Sequence, residues 1–149
     1  MKGKVLVALW LIVMISGCAT LRAGFATRDV QKAIELINSQ EAGALSFHSG
    51  RPFIFEGEIL FRSADIEAVW RHLGENGFAF SNPRIVEVYR ADESTYKVFS
   101  ESEEMRLLFE KYVPAGSTIG RIDTEEGSYY LLLGSGTGGY PAILGLTGF

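Results

Sequence analysis

The stretch 52-PFIFEGEILFRSADIEAVWRHLGENGF-78 joins a strand pattern to a helix pattern and decides the fold. In its first half, apolar and other side chains alternate as they do in a strand with one buried face. The apolar side of this strand is predicted to consist of Phe53, Phe55, Ile59 and Phe61. The opposite side carries Glu56 and Glu58. The stretch therefore predicts a strand that has one face in a core.

The second half of the stretch has the spacing of an amphipathic helix that begins near Ser63. Its apolar stripe consists of Ile66, Val69, Trp70 and Leu73. Because a tryptophan is costly to expose, the stripe is expected to pack onto a sheet face that contains Phe53, Phe55 and Ile59. Trp70 is thus predicted to lie at the centre of the core.

Two other segments show the same helical spacing. The first contains Val30, Ala33, Ile34 and Ile37. Thr27 or Asp29 is expected to cap its start. The second contains Met105, Leu108, Phe109 and Tyr112. Ser100 and Glu103 are expected to form a capping box at its start, and a short helical turn is expected at residues 41–47.

Five further segments have strand-like patterns. They are RIVEVYR at 84–90, TYKVF at 95–99, STIGRID at 117–123, SYYLLLG at 128–134 and YPAILGLTG at 140–148. Residues 91–94 and 124–127 are expected to be hairpin turns. Strands joined by short turns imply an antiparallel sheet, and helices that cover such a sheet make an α+β domain. The prediction is one α+β domain with about five to six strands and about three helices.

The composition is that of a single globular domain. The chain has 149 residues, a formal net charge of −4 and 47% apolar residues. It contains one cysteine, so neither an internal disulfide nor a cysteine-based metal cluster is expected. No basic patch stands out, and nucleic-acid binding depends on many lysine and arginine contacts with phosphates. Nucleic acid is therefore not expected as a partner, and no metal or other cofactor is expected.

The N-terminus has the pattern of a signal peptide. Residues 1–20 read MKGKVLVALWLIVMISGCAT, in which Lys2 and Lys4 precede an apolar run of 11 residues from Val5 to Ile15. This run is too short to span a membrane, which takes about 20 residues. It has the length of a signal-peptide core, and small residues follow it as a cleavage site requires.

The end of this segment, Ile15-Ser16-Gly17-Cys18, resembles the lipobox of bacterial lipoproteins. The resemblance implies cleavage between Gly17 and Cys18 and attachment of acyl chains to Cys18. Each buried CH₂ contributes roughly 0.8 kcal/mol, so two or three chains hold a protein firmly in a bilayer. The alternative is an ordinary signal peptide that happens to contain a cysteine.

The resemblance also implies a location. A chain anchored at Cys18 belongs to the bacterial cell envelope, with the membrane as its partner through the lipid. Ala19 follows the cysteine, where an aspartate tends to retain such proteins in the inner membrane. The periplasmic face of the outer membrane is therefore favoured if the organism has two membranes. Residues 18–26 are expected to be a tether of at most about 30 Å, and residues 27–149 a single domain.

Residues 33–78 resemble the first half of the NTF2-like superfamily in the order of their elements. That order is an amphipathic helix, a second helix that begins near an "INSQE" segment, a strand and a third helix. The resemblance spans residues 29–99 and implies a curved antiparallel sheet around a cone-shaped pocket. The helix around Met105 departs from the family pattern. The alternative is a ferredoxin-like βαββαβ core at 52–123 with extra C-terminal strands.

The glycine-rich segment 134-GSGTGG-139 contains a literal G-x-G-x-x-G. A dinucleotide site would need a helix after it and an acidic residue about 20 positions later. An apolar strand-like run follows instead, and a Gly-Lys-Ser/Thr sequence is absent. The segment is therefore predicted to be a flexible turn without a phosphate role. Replacing Gly136 with alanine is then expected to cost no more than about 1 kcal/mol, unless its φ is positive.

If the sheet curls into a cone, six residues are candidates to line its pocket. They are Phe53, Phe55, Glu56, Glu58, Trp70 and Tyr89. Burial in such a pocket would raise the pKa of its carboxyl groups. His48 and His72 could pair with one of these carboxylates, but isolated histidines are more often surface or packing residues. No catalytic residue is assigned.

Two classes of function remain at this point. The favoured one is a membrane-anchored envelope lipoprotein without enzymatic activity, which binds an apolar small ligand or another envelope protein. The other is a small NTF2-like enzyme of the lyase or isomerase type that uses a pocket carboxylate. The convergence of two ionisable side chains in one concave pocket would favour the enzyme.

Overall fold

The computed structural model of the chain describes residues 24–148. The predicted signal peptide and the predicted cleavage and lipidation at Gly17 and Cys18 lie outside these residues. The α-helices of the described part are α1 (24–38), α2 (Ala42–His48), α3 (Ser63–Glu75) and α4 (Glu103–Lys111). Its strands are β1 (Ser49–Phe55), β2 (Glu58–Leu60), β3 (Arg84–Arg90), β4 (Thr118–Asp123), β5 (Ser128–Gly134) and β6 (Ala142–Gly148). The predicted α+β class is confirmed.

The strands form one open, curved sheet in the order β2-β1-β6-β5-β4-β3. The sheet is mixed rather than wholly antiparallel, because β1 and β6 pair in parallel. The hairpin with β5 fixes the direction of β6, and β6 then lies between β5 and β1. This pairing joins the two ends of the domain, and local patterns in the sequence carry no information about it. The arrangement is consistent with an NTF2-like or similar α+β fold.

Both faces of the sheet are covered by apolar side chains. Helices α1, α2 and α3 contribute Ile37, Leu45 and Trp70 to a core on one face, where the sheet supplies Phe53, Leu131 and Ile143. Helix α4 covers the other face with Met105, Leu108 and Phe109, against Ile54, Ile119 and Leu132. Within residues 24–148, every buried side-chain nitrogen or oxygen has a hydrogen-bond partner. Buried apolar cores therefore lie on both sides of the sheet.

Trp70 lies at the centre of the first core, as the helical stripe predicts. Its ring is buried, and its centroid lies 5.6 Å from that of Phe53. The indole Nε1–H donates a hydrogen bond of 2.8 Å to Ser49 Oγ. The Ser49 hydroxyl in turn donates to the carbonyl oxygen of Leu45, at 2.7 Å. One side chain on α3 thereby connects β1 with the end of α2.

The stretch 52–61 is a hairpin rather than one continuous strand. Glu56 and Gly57 form its turn with φ values of 49° and 83°, and the turn reverses the chain between β1 and β2. Ile59 consequently pairs with Ile54 and packs on the α4 face, not beneath Trp70. The prediction that Phe53 and Ile59 share a face is wrong because an alternating pattern does not reveal a turn within it.

Four local predictions are also corrected. Residues 95–98 form a 3₁₀ helix instead of a strand, so the strand that a ferredoxin-like core would need at this place is missing. Ser102, not Ser100, caps α4, and its Oγ accepts a hydrogen bond from the Met105 N–H at 3.2 Å. Residues 24–26, placed in the predicted tether, are already helical. Neither Thr27 nor Asp29 therefore caps the start of α1.

The contacts of Trp70 predict how its variants behave. Trp70→Ala removes a buried aromatic side chain and should lower the free energy of unfolding by about 3–5 kcal/mol. Trp70→Phe keeps a ring but loses the hydrogen bond to Ser49. Ser49→Ala in the wild type leaves the indole N–H unpaired and should lower the free energy of unfolding by about 1–3 kcal/mol. In the Trp70→Phe background, where this N–H is absent, the same substitution should lower it much less. Urea unfolding of the wild type, Ser49→Ala, Trp70→Phe and the double variant measures this coupling. Equal costs of Ser49→Ala in both backgrounds would contradict it.

Candidate functional site

A concave surface with apolar side chains and exposed rings lies between β2 and α4. It encloses about 710 Å³ and is named the edge groove here because β2 forms one edge of the sheet. Its lining consists of Gly57, Glu58, Ile59, Phe61, Glu104, Leu107, Leu108, Lys111 and Tyr112. Two large rings at this groove are exposed to solvent, Phe61 at 63% and Tyr112 at 59%. Exposed aromatic side chains gathered in a groove are typical of a contact surface.

A smaller hollow continues the edge groove past the end of α4. It has a volume of about 200 Å³ and shares Leu108 and Tyr112 with the groove. Pro52 and Leu144 line its opposite side. Together the two concavities form an apolar strip along α4.

The local sequence explains why α4 presents this strip. Ser102 caps the helix at its first turn, and Met105 and Phe109 turn toward the sheet. On the solvent side, Arg106 Nε donates to Glu103 Oε2 at 2.9 Å, and Arg106 also pairs with Glu110. Bonding to Arg106 lowers the pKa of the exposed Glu103 carboxyl below its ordinary value. These ion pairs leave Leu107 and Lys111 on the side of the helix that lines the groove.

Three charged side chains lie in the edge groove. Glu58 and Glu104 contribute negative charge and Lys111 positive charge. None of the three has an ion-pair partner among residues 24–148. Glu104 and Lys111 are two helical turns apart, or about 10 Å along the axis. The groove therefore offers separated charges of both signs beside apolar surface.

A second concavity of about 610 Å³ lies where α1 crosses the ends of β3, β4 and β5. Asp29, Arg90, Thr118 and Ser135 give it a polar lining. Tyr89 also lines it, and burial raises the pKa of its hydroxyl above the ordinary value. A tyrosine with a raised pKa stays protonated at neutral pH and does not act as a base there. This pocket contains no histidine.

The six predicted pocket residues do not meet in one place. Phe53 and Trp70 belong to the filled core, because the sheet does not leave a cone open beneath α3. Phe55 is partly buried at the edge of that core. Glu58 lines the edge groove, and Tyr89 lines the polar pocket instead.

The carboxylates and histidines that could form an acid–base set are held apart by other contacts. Glu56 Oε1 accepts a hydrogen bond from the Gly148 N–H at 2.8 Å, which ties the β1–β2 turn to the end of β6. The His48 ring lies between Phe47 and Tyr140, at centroid distances of 5.0 and 5.2 Å. His72 contacts Asn76 one turn along α3. The described residues therefore contain no histidine bonded to a carboxylate.

Sequence reasoning missed most of the edge groove. The helical spacing predicts that Tyr112 belongs to the buried stripe of α4, but it lies at the end of that helix and is exposed. Leu107 and Lys111 lie beside the stripe and line the groove. The wide apolar face of α4 is the sequence signal for this groove. The strand pattern at 52–61 does not show that β2 is a separate strand beside α4, because the turn at Glu56 and Gly57 is not evident from it.

The glycine-rich segment connects β5 to β6, as predicted. Strand β6 follows the segment, whereas a phosphate site of this kind needs the N-terminus of a helix there. The segment is nevertheless tightly folded at Gly136, where a Cβ atom would run into the backbone of Tyr140, Pro141 and Ala142. This close approach explains a glycine at that position without invoking a ligand.

No group of three or more histidine, cysteine, aspartate or glutamate side chains among the described residues could hold a metal ion. No helix there is long and apolar enough to cross a membrane. Comparisons with family models, curated proteins and solved structures find no match to the chain.

The geometry at Gly136 corrects the small cost expected for its replacement. Gly136→Ala forces the backbone at 140–142 to move, and we expect it to lower the free energy of unfolding by more than about 1 kcal/mol. Gly43→Ala is the matched control, because nothing lies within 4 Å of the added Cβ. It lies within α2 and should be neutral or stabilising by up to about 1 kcal/mol. Thermal melting of both variants tests this, and equal melting temperatures would contradict the tight packing at Gly136.

Proposed function

We propose that this chain is a bacterial envelope lipoprotein, anchored through Cys18, whose domain binds another envelope protein in the edge groove. The observation that supports binding at this place is the pair of exposed rings, Phe61 and Tyr112, in an apolar groove with separated charges. The support for the anchor is the order of the N-terminal signals, which ends in Ile15-Ser16-Gly17-Cys18.

The anchor follows from the lipobox resemblance and from the physics of acyl chains. One acyl chain holds a protein only reversibly, whereas two or three hold it durably in a bilayer. Cys18 is the only cysteine of the chain and stands where the lipobox resemblance requires it. With Ala19 next to it, we place the protein on the periplasmic face of the outer membrane in an organism with two membranes.

The filled interior supports a surface function over a buried ligand. A small apolar ligand in a central cone would occupy the space that Phe53 and Trp70 fill in the first core. The edge groove, in contrast, is already open and borders a strand with a free edge in the described part of the chain. Interfaces typically place aromatic anchors at their centre with charges around them.

The charges of the groove indicate the chemistry of its occupant. Glu58 and Glu104 favour a basic side chain, and Lys111 favours an acidic one. We infer that the partner supplies a segment with apolar side chains between a basic and an acidic residue. Charge complementarity of this kind selects the register of a bound segment.

The alternative function, a small enzyme with a pocket carboxylate, gains no support from the geometry. Its candidate carboxylates are Glu56, which bonds to the Gly148 N–H, and Glu58, which lies in the open groove. An acid–base pair has to lie within hydrogen-bond reach of a common reacting atom. We therefore propose a binding protein.

The anchor predicts the fate of a Cys18 variant. Wild-type protein should fractionate with membranes and carry an acylated N-terminal Cys18, which intact mass spectrometry detects. Cys18→Ala should remove the acyl mass and leave an uncleaved precursor. Ser16→Ala is the matched control, because it keeps a small residue before the cysteine and should be processed as the wild type. An unmodified Cys18, or cleavage at another bond, would contradict the anchor.

The edge groove predicts a position-specific crosslink in living cells. A photoreactive phenylalanine analogue at Phe61 should yield one discrete protein adduct, identified by mass spectrometry. The same analogue at Val86, which is exposed on the opposite edge strand, is the control and should not yield it. Lys111→Glu reverses the charge of an exposed groove residue and should reduce the yield of this adduct.

Purified protein then tests the same contact without other cell components. The adduct partner, added to the wild-type chain, should bind at least about tenfold more tightly than to Lys111→Glu, a change typical of a lost charge pair at an interface. An adduct that is equal at Phe61 and Val86, or binding that Lys111→Glu leaves unchanged, would contradict the groove as the site.

A further inference from the structure

Within residues 24–148, three aromatic side chains are exposed outside the edge groove. Phe25 on α1 is 61% exposed, Phe47 at the end of α2 is 76% exposed, and Tyr140 in the β5–β6 connection is 39% exposed. The His48 ring lies between Phe47 and Tyr140 and joins two of them into one cluster. The filled core explains none of these exposures.

The pairing of the strands places these three elements at the same end of the sheet. Strand β1 begins at Ser49 directly after α2, opposite Ile143 near the start of β6. Strand β5 ends at Gly134, so the connection 135–141 lies at this end as well. The first described turn of α1 is there too, because Ala26 lines the polar pocket together with Gly134. The β4–β5 turn at 124–127 lies at the opposite end.

Helix α1 adds positive charge beside Phe25. Its core stripe, Val30, Ala33, Ile34 and Ile37, is buried. The positions of Phe25, Arg28 and Lys32 follow one another at spacings of three and four residues, on the side of the helix opposite that stripe. The Lys32 ammonium donates a hydrogen bond to the carbonyl oxygen of Gly139, next to Tyr140. Phe25, Arg28, Lys32, Phe47 and Tyr140 are named the anchor-side surface.

The chain outside the described residues ends close to this surface. From Cys18 to Gly24 is a short segment that spans at most about 20 Å when fully extended. If Cys18 carries acyl chains, Gly24 cannot lie farther than about 20 Å from the lipid, and Phe25 no farther than about 24 Å. An end of the domain held this close to a bilayer presents its exposed side chains to the headgroup region.

We propose that the anchor-side surface lies against the lipid headgroups and orients the domain on the membrane. Phe25 and Phe47 enter the boundary between headgroups and acyl chains, and Tyr140 lies at the water interface, where amphipathic rings are favoured. Arg28 and Lys32 face lipid phosphates. This inference rests on the proposed lipid anchor at Cys18 and adds a second, non-covalent contact with the same membrane.

The contact is tested with the acylated chain in vesicles of phosphatidylethanolamine and phosphatidylglycerol. Some of the vesicles carry bromine on the acyl chains, which quenches only nearby tryptophan emission. Phe47→Trp and Tyr140→Trp introduce reporters on the anchor-side surface, and Glu126→Trp introduces one at the opposite end of the sheet. The wild type supplies the background from Trp70, which is buried. Circular dichroism confirms that each variant is folded.

The expected result is that brominated lipid reduces the added emission of Phe47→Trp and Tyr140→Trp by at least about twofold and leaves that of Glu126→Trp unchanged. Equal quenching at the two ends of the domain, in a chain whose Cys18 is acylated, would overturn the inference and leave the anchor intact. An unacylated Cys18, read by mass spectrometry of the same sample, would overturn both. The two failures are therefore distinguishable.

Discussion

The domain depends on the buried contact of Trp70 with β1. The indole packs on Phe53 and donates its N–H to Ser49, and Ser49 donates to the end of α2. Strand β1 is in turn the place where the β1–β2 hairpin meets the C-terminal strand β6. Helices α2 and α3 and the β2-β1-β6 part of the sheet are therefore positioned through a few side chains. A buried N–H without its acceptor would cost more than the bond itself contributes.

This packing has a consequence for function. Apolar side chains cover both faces of the sheet, and the edge groove, the hollow beside it and the polar pocket near α1 lie at the surface of the described residues. The exposed aromatic rings of the described residues lie in two places, the edge groove and the anchor-side surface. A surface for a partner and a surface toward the lipid are the two roles that such an arrangement supports. Both depend on the rigid core that Trp70 completes.

The sequence predicts the elements that local chemistry specifies. The stripe around Trp70 predicts α3 and its burial, and glycine-rich or acidic turns predict the hairpins of β4, β5 and β6. Non-local pairing is not encoded in such patterns, so the parallel contact of β1 with β6 was not foreseen. The positive φ at Glu56 hid the turn before β2, because this conformation is uncommon for residues other than glycine. The edge groove was missed for the same reason, since β2 forms one of its walls.

Hydrogen exchange of the Trp70 indole N–H tests the filled core most directly. This proton is bonded to Ser49 and enclosed by apolar side chains, so its exchange should require unfolding of the whole domain. We predict that its free energy of opening, measured by NMR under native conditions, equals that of the slowest amides in β5, such as Leu131 and Leu132. A much lower value would mean that water reaches the indole in the folded state. That result would contradict a filled core and restore a central pocket as the functional site.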